Sequence, residues 1–204
     1  MRDRAFERRR TSTAVACLVL AGALQLPCMP AYASKDCRPS AEQLKRLEDL
    51  DPYISYFTSI KYGGPDVHIS RDYIRALILT ESGADPGARS PFGARGVTQI
   101  LPATARSVLK ILEQSGRDFR FIDENVFDSF EPEDLHDPAL NILIACYLNA
   151  TYRAMYDGRT DLVVSAWNAG PGAVARYGNS PPPFPETRHL IKRVKDTLGY
   201  LQVN

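Results

Sequence analysis

The chain has 204 residues, of which 44% are hydrophobic and 24% charged, and its formal net charge is +1. This length and composition are those of a soluble globular protein with one buried core. A net charge so close to zero does not favour a nucleic-acid partner. The sequence contains no phosphate-binding loop and no clustered metal ligands, so it gives no sign of nucleotide-dependent or metal-dependent chemistry.

Residues 1–33 have the composition of a secretory signal peptide. Five arginines form a basic start, residues 11–26 are mostly apolar, and a small-x-small cleavage site ends at Ala33. The apolar stretch is short for a membrane span. We predict a cleaved signal peptide, with an uncleaved anchor as the alternative. Removing its five basic and two acidic residues leaves a net charge of −2.

The cysteines follow from this prediction. Cys17 and Cys28 leave with the signal peptide, so the mature chain keeps Cys37 and Cys146. A single pair in an exported chain favours a disulfide between them. The alternative is two separate buried thiols.

Residues 34–69 are predicted to form an N-terminal helical segment that packs on the core. Residues 39–50 carry leucines at helical spacing with charges between them, which is typical of an amphipathic helix. Residues 52–64 are followed by Pro65, and the run Gly63-Gly64-Pro65 predicts a turn after a short helix or an extended piece.

The next predicted helix, residues 72–80, follows Ser70 as N-cap and leads into Glu81. Glu81 comes seven, four and three residues after Ile74, Leu77 and Ile78, so it lies on their apolar face. Burial there raises a carboxyl pKa, as a general acid near neutral pH requires. A Gly- and Pro-rich stretch then stops the helix. The alternative is a helix that frays and leaves Glu81 in water.

Five further helices are predicted from helical periodicity bounded by Pro, Asp or Gly. They cover residues 102–116, 137–158, 160–168, 171–177 and 186–200. No pair of strands is indicated, so the sequence predicts an all-α protein. Residues 117–136 are the least regular, because four phenylalanines alternate there with acidic residues. They could form a lid or a partner-binding loop, or they could pad the edge of the core.

Several short motifs, in this order, resemble those of the soluble lytic transglycosylase (SLT) family. They are Glu81-Ser82-Gly83, residues 90–96 with Gln99, residues 102–105, Asp137-Pro138 with Asn141-Ile142 and Tyr147-Leu148, Asn168-Ala169-Gly170, and residues 185–188. The resemblance implies a single compact lysozyme-like helical domain of the goose type over residues 70–204. The family has a shorter link where residues 117–136 stand, which therefore look like an insertion.

The resemblance also implies the chemistry. Glu81 would protonate the glycosidic oxygen between N-acetylmuramic acid and N-acetylglucosamine in peptidoglycan. It would then act as the base while the muramoyl 6-hydroxyl attacks and forms a 1,6-anhydro sugar. Most glycosidases use two carboxylates, but Arg95 stands where a lysozyme-like second acid is expected. No metal or cofactor takes part in the implied reaction.

Other roles are carried over from the family by position. The resemblance implies that seven residues bind substrate: Ser90, Gln99, Tyr147, Trp167, Asn168, Ala169 and Glu186. Glu186 has an alternative interpretation as an acid placed in a first helical turn by the helix dipole. Three positions depart from the family pattern. Trp167 replaces a Tyr whose hydroxyl contacts the catalytic acid, Thr98 replaces a Met, and Leu190 replaces a Tyr.

The sequence thus predicts a periplasmic lytic transglycosylase. One alternative is a muramidase that hydrolyses the same bond with water, which the missing second acid disfavours. Another is a non-catalytic peptidoglycan-binding or assembly protein, which the intact Glu81 disfavours. By analogy with small secreted members of the family, the expected partners are peptidoglycan strands and a secretion or conjugation apparatus.

Overall fold

The computed structural model describes residues 38–62 and 67–203. Within these ranges the ordered elements are nine α-helices and one 3-10 helix, and no strand is present. The helices are α1 (Ala41–Asp49), α2 (Asp51–Ser59), α3 (Arg71–Glu81), α4 (Pro102–Gln114), α5 (Asn125–Ser129), α6 (Pro138–Met155), α7 (Thr160–Ala169), α8 (Pro171–Arg176) and α9 (Pro185–Leu201), with the 3-10 helix at Pro132–His136. The predicted all-α fold is confirmed.

Helix α3 is buried over most of its length and organises the core. Seven of its eleven residues are buried, and it packs against α1, α2 and α9. Its start is capped by Ser70, whose hydroxyl accepts a hydrogen bond from the backbone N–H of Tyr73. The burial of α3 fixes the position and direction of the residue that ends it, Glu81.

Helix α6 is the second buried element, and it contacts α2, α4, α7 and the 3-10 helix. Asp137 caps it by accepting a hydrogen bond from the backbone N–H of Ala139 at 2.8 Å. Pro138 occupies the first turn, where no N–H donor is needed. The predicted start of this helix is therefore confirmed.

The segment from residue 117 to 136 contributes to the edge of the core. Phe119 and Phe130 are buried there, and Phe127 packs against the same cluster. Phe121 is 39% exposed and meets the ring of Tyr53 edge-on at 5.2 Å. The aromatic residues thus pad the core edge, and the insertion itself stays a prediction.

Two of the predictions fall on residues outside the described ranges. The predicted signal peptide lies there entirely, and so does Cys37 of the predicted disulfide. Its proposed partner Cys146 is fully buried on α6, and burial raises the pKa of its thiol. Among the described helices, none combines the length and the apolar character needed to cross a membrane.

Candidate active site

Glu81 is the last residue of α3 and is half-buried. Its Oε1 accepts a hydrogen bond from the indole Nε1–H of Trp167 at 2.8 Å. The helix continues through Glu81 instead of fraying before it, as the apolar spacing indicates. The backbone turns away at Ser82, whose hydroxyl donates to the carbonyl of Val97 at 2.7 Å.

The pKa of the Glu81 carboxyl lies near neutral pH. Burial raises its pKa to about 7, against the opposing effects of the Trp167 hydrogen bond and the positive charge of Arg193. Near pH 7 the protonated and ionised forms are therefore both populated. A single group can then donate a proton in one step and accept one in the next.

One wall beside Glu81 is formed by α7 and α9, and we call it the helix wall. Trp167 and Asn168 lie in the last turn of α7, which ends where Gly170 adopts a φ of 81°. Asn168 Oδ1 accepts a hydrogen bond of 2.6 Å from the hydroxyl of Thr187, a fully buried residue of α9. This bond ties the end of α7 to the start of α9. Ala169 follows, half-buried.

Arg193 of α9 is a site residue that the sequence analysis missed. It is half-buried and its charge favours the ionised form of Glu81. It follows Glu186 by seven positions and Leu190 by three, so the three residues share one face of α9. That spacing was the signal that could have identified it. Glu186 is also half-buried, on the first turn of α9.

The irregular loop 82–100 continues the chain directly after Glu81, and we call it the loop wall. Ser90 and Gln99, predicted to bind substrate, make hydrogen bonds within it. Ser90 Oγ accepts from the backbone N–H of Ala94 at 3.0 Å. Gln99 Nε2 donates to the carbonyls of Ala88 and Gly96 at 3.2 and 3.0 Å. Both side chains therefore shape the loop, whatever they also offer to a ligand.

Asn141 of α6 anchors the loop wall and is fully buried. Its Oδ1 accepts from the backbone N–H and the hydroxyl of Thr98, at 2.9 and 2.6 Å. Its Nδ2 donates to the carbonyls of Arg95 and Leu135, both at 3.0 Å. The amide is thus fully satisfied, and Thr98, one of the three departures from the family pattern, is one of its partners.

Position 96 requires glycine because its backbone lies directly against the Asn141 amide and the Leu135 carbonyl. Its φ is 75°, and a Cβ added there would collide with the Leu135 carbonyl and the Asn141 amide. Charge adds a further link, because Arg95 and Arg89 lie 3.4 and 3.6 Å from one carboxylate oxygen of Glu133. The 3-10 helix thus supports the loop wall. Arg95 is 8% exposed.

Tyr147 stands apart from these contacts. It is half-buried on α6, and its ring meets that of Tyr62 edge-on at 6.1 Å. Its contact belongs to the packing of α6 on the N-terminal segment. The structure therefore brings Glu81, Trp167, Asn168 and Arg193 together, with Ser90 and Gln99 in the loop wall.

Comparison with known proteins places the chain in a family. A family model described as "Transglycosylase SLT domain" matches residues 59–188. The soluble lytic murein transglycosylase of Salmonella typhimurium is 34% identical over 139 residues, covering 62% of this chain and 20% of that protein. The Escherichia coli K12 protein of the same name is 33% identical over 161 residues, covering 72% and 23%. The chain thus spans about a quarter or less of the length of these relatives.

Solved structures give the same result. The 70 kDa soluble lytic transglycosylase of Escherichia coli aligns with a TM-score of 0.59 and 27% identity, covering 76% of this chain and 24% of that one. Its complex with bulgecin A aligns with a TM-score of 0.60, the same identity and the same coverage. The lysozyme-like helical fold predicted from the sequence is therefore confirmed.

Proposed function

Because the chain belongs to the transglycosylase SLT domain family, we propose that it is a lytic transglycosylase that cleaves peptidoglycan between N-acetylmuramic acid and N-acetylglucosamine. The observation that carries the proposal is the half-buried Glu81, with a pKa of about 7 and an indole N–H on one oxygen. The described groups that act on this pKa are Trp167 and Arg193, and neither is a second carboxyl.

The reaction then proceeds in two steps on one carboxyl. Protonated Glu81 gives its proton to the glycosidic oxygen, and the bond from that oxygen to C1 of the muramoyl sugar breaks. The N-acetyl group of the substrate stabilises the cation at C1, and Arg193 favours the carboxylate that remains. Glu81 then takes the proton of the muramoyl 6-hydroxyl while the oxygen of that hydroxyl bonds to C1. The products are a free 4-hydroxyl and a 1,6-anhydro sugar, and Glu81 is protonated again.

Mass spectrometry of digested, purified peptidoglycan tests this proposal. Anhydro products are expected, each lighter by one water than the reducing-end products that a muramidase releases. Reducing-end products would replace the proposal with hydrolysis. No digestion, with strands still bound, would replace it with a peptidoglycan-binding role. A relative has been solved in complex with bulgecin A, and we propose that this chain binds the same compound at the site around Glu81. Its binding should then change the emission of Trp167, the single tryptophan of the chain.

We also propose that the protein is exported to the periplasm after cleavage of residues 1–33, and that it carries the Cys37–Cys146 disulfide. The basic start, the apolar stretch and the small residues before the cleavage site support export. N-terminal sequencing and thiol titration of periplasmic material test both points. We propose separately that the protein opens the cell wall for a secretion or conjugation apparatus. A strain that lacks the gene for this protein should then fail to assemble that apparatus.

A further inference from the structure

We propose that Trp167 is a positioning residue that holds Glu81 through Oε1 alone and confines the transferable proton to Oε2. This inference rests on the proposed function and deepens it. The indole Nε1–H lies 2.8 Å from Oε1, within ordinary hydrogen-bond distance. An indole nitrogen donates and cannot accept. Oε1 is therefore an acceptor in both protonation states. Because a carbonyl oxygen accepts a hydrogen bond better than the hydroxyl oxygen of a carboxylic acid, the bond favours the proton of the neutral acid on Oε2.

The support of Trp167 makes this geometry persistent. Trp167 precedes Asn168, whose side chain is bonded to the buried Thr187 at 2.6 Å. The preceding five residues of α7, 162–166, are all buried, so the backbone that carries the indole is packed on the core. The carboxyl thus keeps one orientation when it changes from acid to base between the two steps.

The family's usual Tyr has a different capacity at this position. A phenol hydroxyl can donate to an ionised carboxylate, but it can also accept the proton of a neutral carboxylic acid. That second arrangement engages the proton that must reach the glycosidic oxygen, and it stabilises the neutral acid. Trp167 excludes it. The replacement of Tyr by Trp is therefore expected to lower the pKa of Glu81 and to keep its proton available to substrate.

Apart from Trp167, one described group acts on the pKa of Glu81: Arg193 of α9, which favours the ionised form. Tyr73 of α3 responds to Glu81, because burial and the charge of Glu81 raise the pKa of its hydroxyl while Arg153 lowers it. Both remain in place when Trp167 is changed. A series at position 167 therefore isolates the effect of the hydrogen bond.

The experiment measures the pKa of Glu81 by NMR of carboxyl-labelled full-length protein, with Glu81→Gln to assign the signal. The variants are Trp167→Tyr and Trp167→Phe, and Tyr152→Phe serves as a control that removes a hydroxyl elsewhere. The pKa should rise in the order Trp, Tyr, Phe, with the Phe variant about one pH unit above the wild type, since a hydrogen bond to a charged group is about tenfold in an equilibrium. The Tyr152 variant should match the wild type.

Equal values for all three residues at position 167, or a lower value for Tyr than for Trp, would overturn the inference. Circular dichroism and melting curves confirm that each variant is folded. In the wild type, the emission of Trp167 should titrate with the same pKa, and Glu81→Gln should abolish that titration. Neither readout needs lytic activity, so an inactive protein would refute the proposed function and leave this test intact.

A third readout, the lytic rate as a function of pH, separates positioning from packing. If Trp167 only filled space, the Phe and Tyr variants would lose activity equally at every pH. If Trp167 positions the proton, the alkaline limb of the rate profile should move to higher pH as the pKa of Glu81 rises. The value of kcat should also fall by a larger factor than the change in KM. A uniform loss without movement of the limb would contradict the proposal.

Discussion

The two walls beside Glu81 are built in opposite ways. The loop wall is irregular, and buried hydrogen bonds to the Asn141 amide and to backbone carbonyls hold it in shape. The helix wall is regular, and it meets the carboxylate through the Trp167 side chain and the charge of Arg193. The loop wall is therefore fixed by its own buried hydrogen bonds, whereas the helix wall acts on the protonation state of Glu81.

Removing the Glu81 carboxyl should have the largest effect. Glu81→Gln keeps the size of the side chain but cannot supply or take the proton. General acid–base catalysis contributes roughly 10²–10⁴-fold, so lysis of purified sacculi should fall by at least that range. The circular dichroism spectrum should not change. Activity within a few-fold of the wild type would remove Glu81 from the proposed mechanism.

Breaking the anchor of the loop wall should mainly affect stability. Asn141→Leu leaves the Thr98 N–H and two carbonyls without their partner in a buried site, which costs roughly 2–5 kcal/mol of unfolding free energy. Urea unfolding measures the loss. Binding of chitooligosaccharides should weaken as well, because Ser90 and Gln99 lie in a loop that is no longer held.

Asn149→Leu is the matched control for that variant. Asn149 is also fully buried on α6, but its amide bonds to helices: it accepts from the Tyr73 hydroxyl at 2.9 Å and donates to the Ala145 carbonyl at 2.8 Å. It should lose stability to a similar degree and keep its affinity for chitooligosaccharides at a temperature where both variants are folded. Equal loss of affinity in both would contradict the anchoring role of Asn141.

Loosening the helix wall should have a smaller effect. Thr187→Val keeps the shape of the side chain and removes the donor to Asn168, which costs about 1 kcal/mol of stability, as measured by urea unfolding. Trp167 then loses part of its support, and a fall in lytic rate of a few-fold is expected. An unchanged rate together with the expected loss of stability would show that this bond serves the fold alone.

Removing the positive charge of Arg193 should have the smallest effect. Arg193→Gln removes a group that favours the ionised form of Glu81, so the pKa should rise and the alkaline limb of the rate profile should move to higher pH. Because Arg193 contributes less than the Trp167 hydrogen bond, the shift should be smaller than that of Trp167→Phe. Lys195→Gln, an exposed change on the same helix, should leave the profile unmoved.

The sequence predicted the helices better than the contacts between them. Ser70, Asp137 and the Gly-Pro breaks are local signals, so the helix starts and ends follow from them. Asn141 is different, because its partners Arg95 and Thr98 lie 46 and 43 positions earlier in the chain. The role of such a polar residue within an apolar helix can be identified only when the positions of its distant loop partners are known. The pairing of Trp167 with Glu81 was predictable in part, because the family has a hydrogen-bonding side chain at that position.

The burial of Glu81 couples the folding of the chain to proton uptake. Its pKa is about 7 when folded, against an ordinary value of 4.5 when the chain is unfolded. Between these values the folded protein holds a proton that the unfolded chain releases, so refolding near pH 6 should take up about one proton at this site. The stabilisation from protonated Glu81 is complete below pH 4.5 and is lost as the pH rises through 7. The same raised pKa that suits Glu81 to catalysis therefore lowers the free energy of unfolding at alkaline pH.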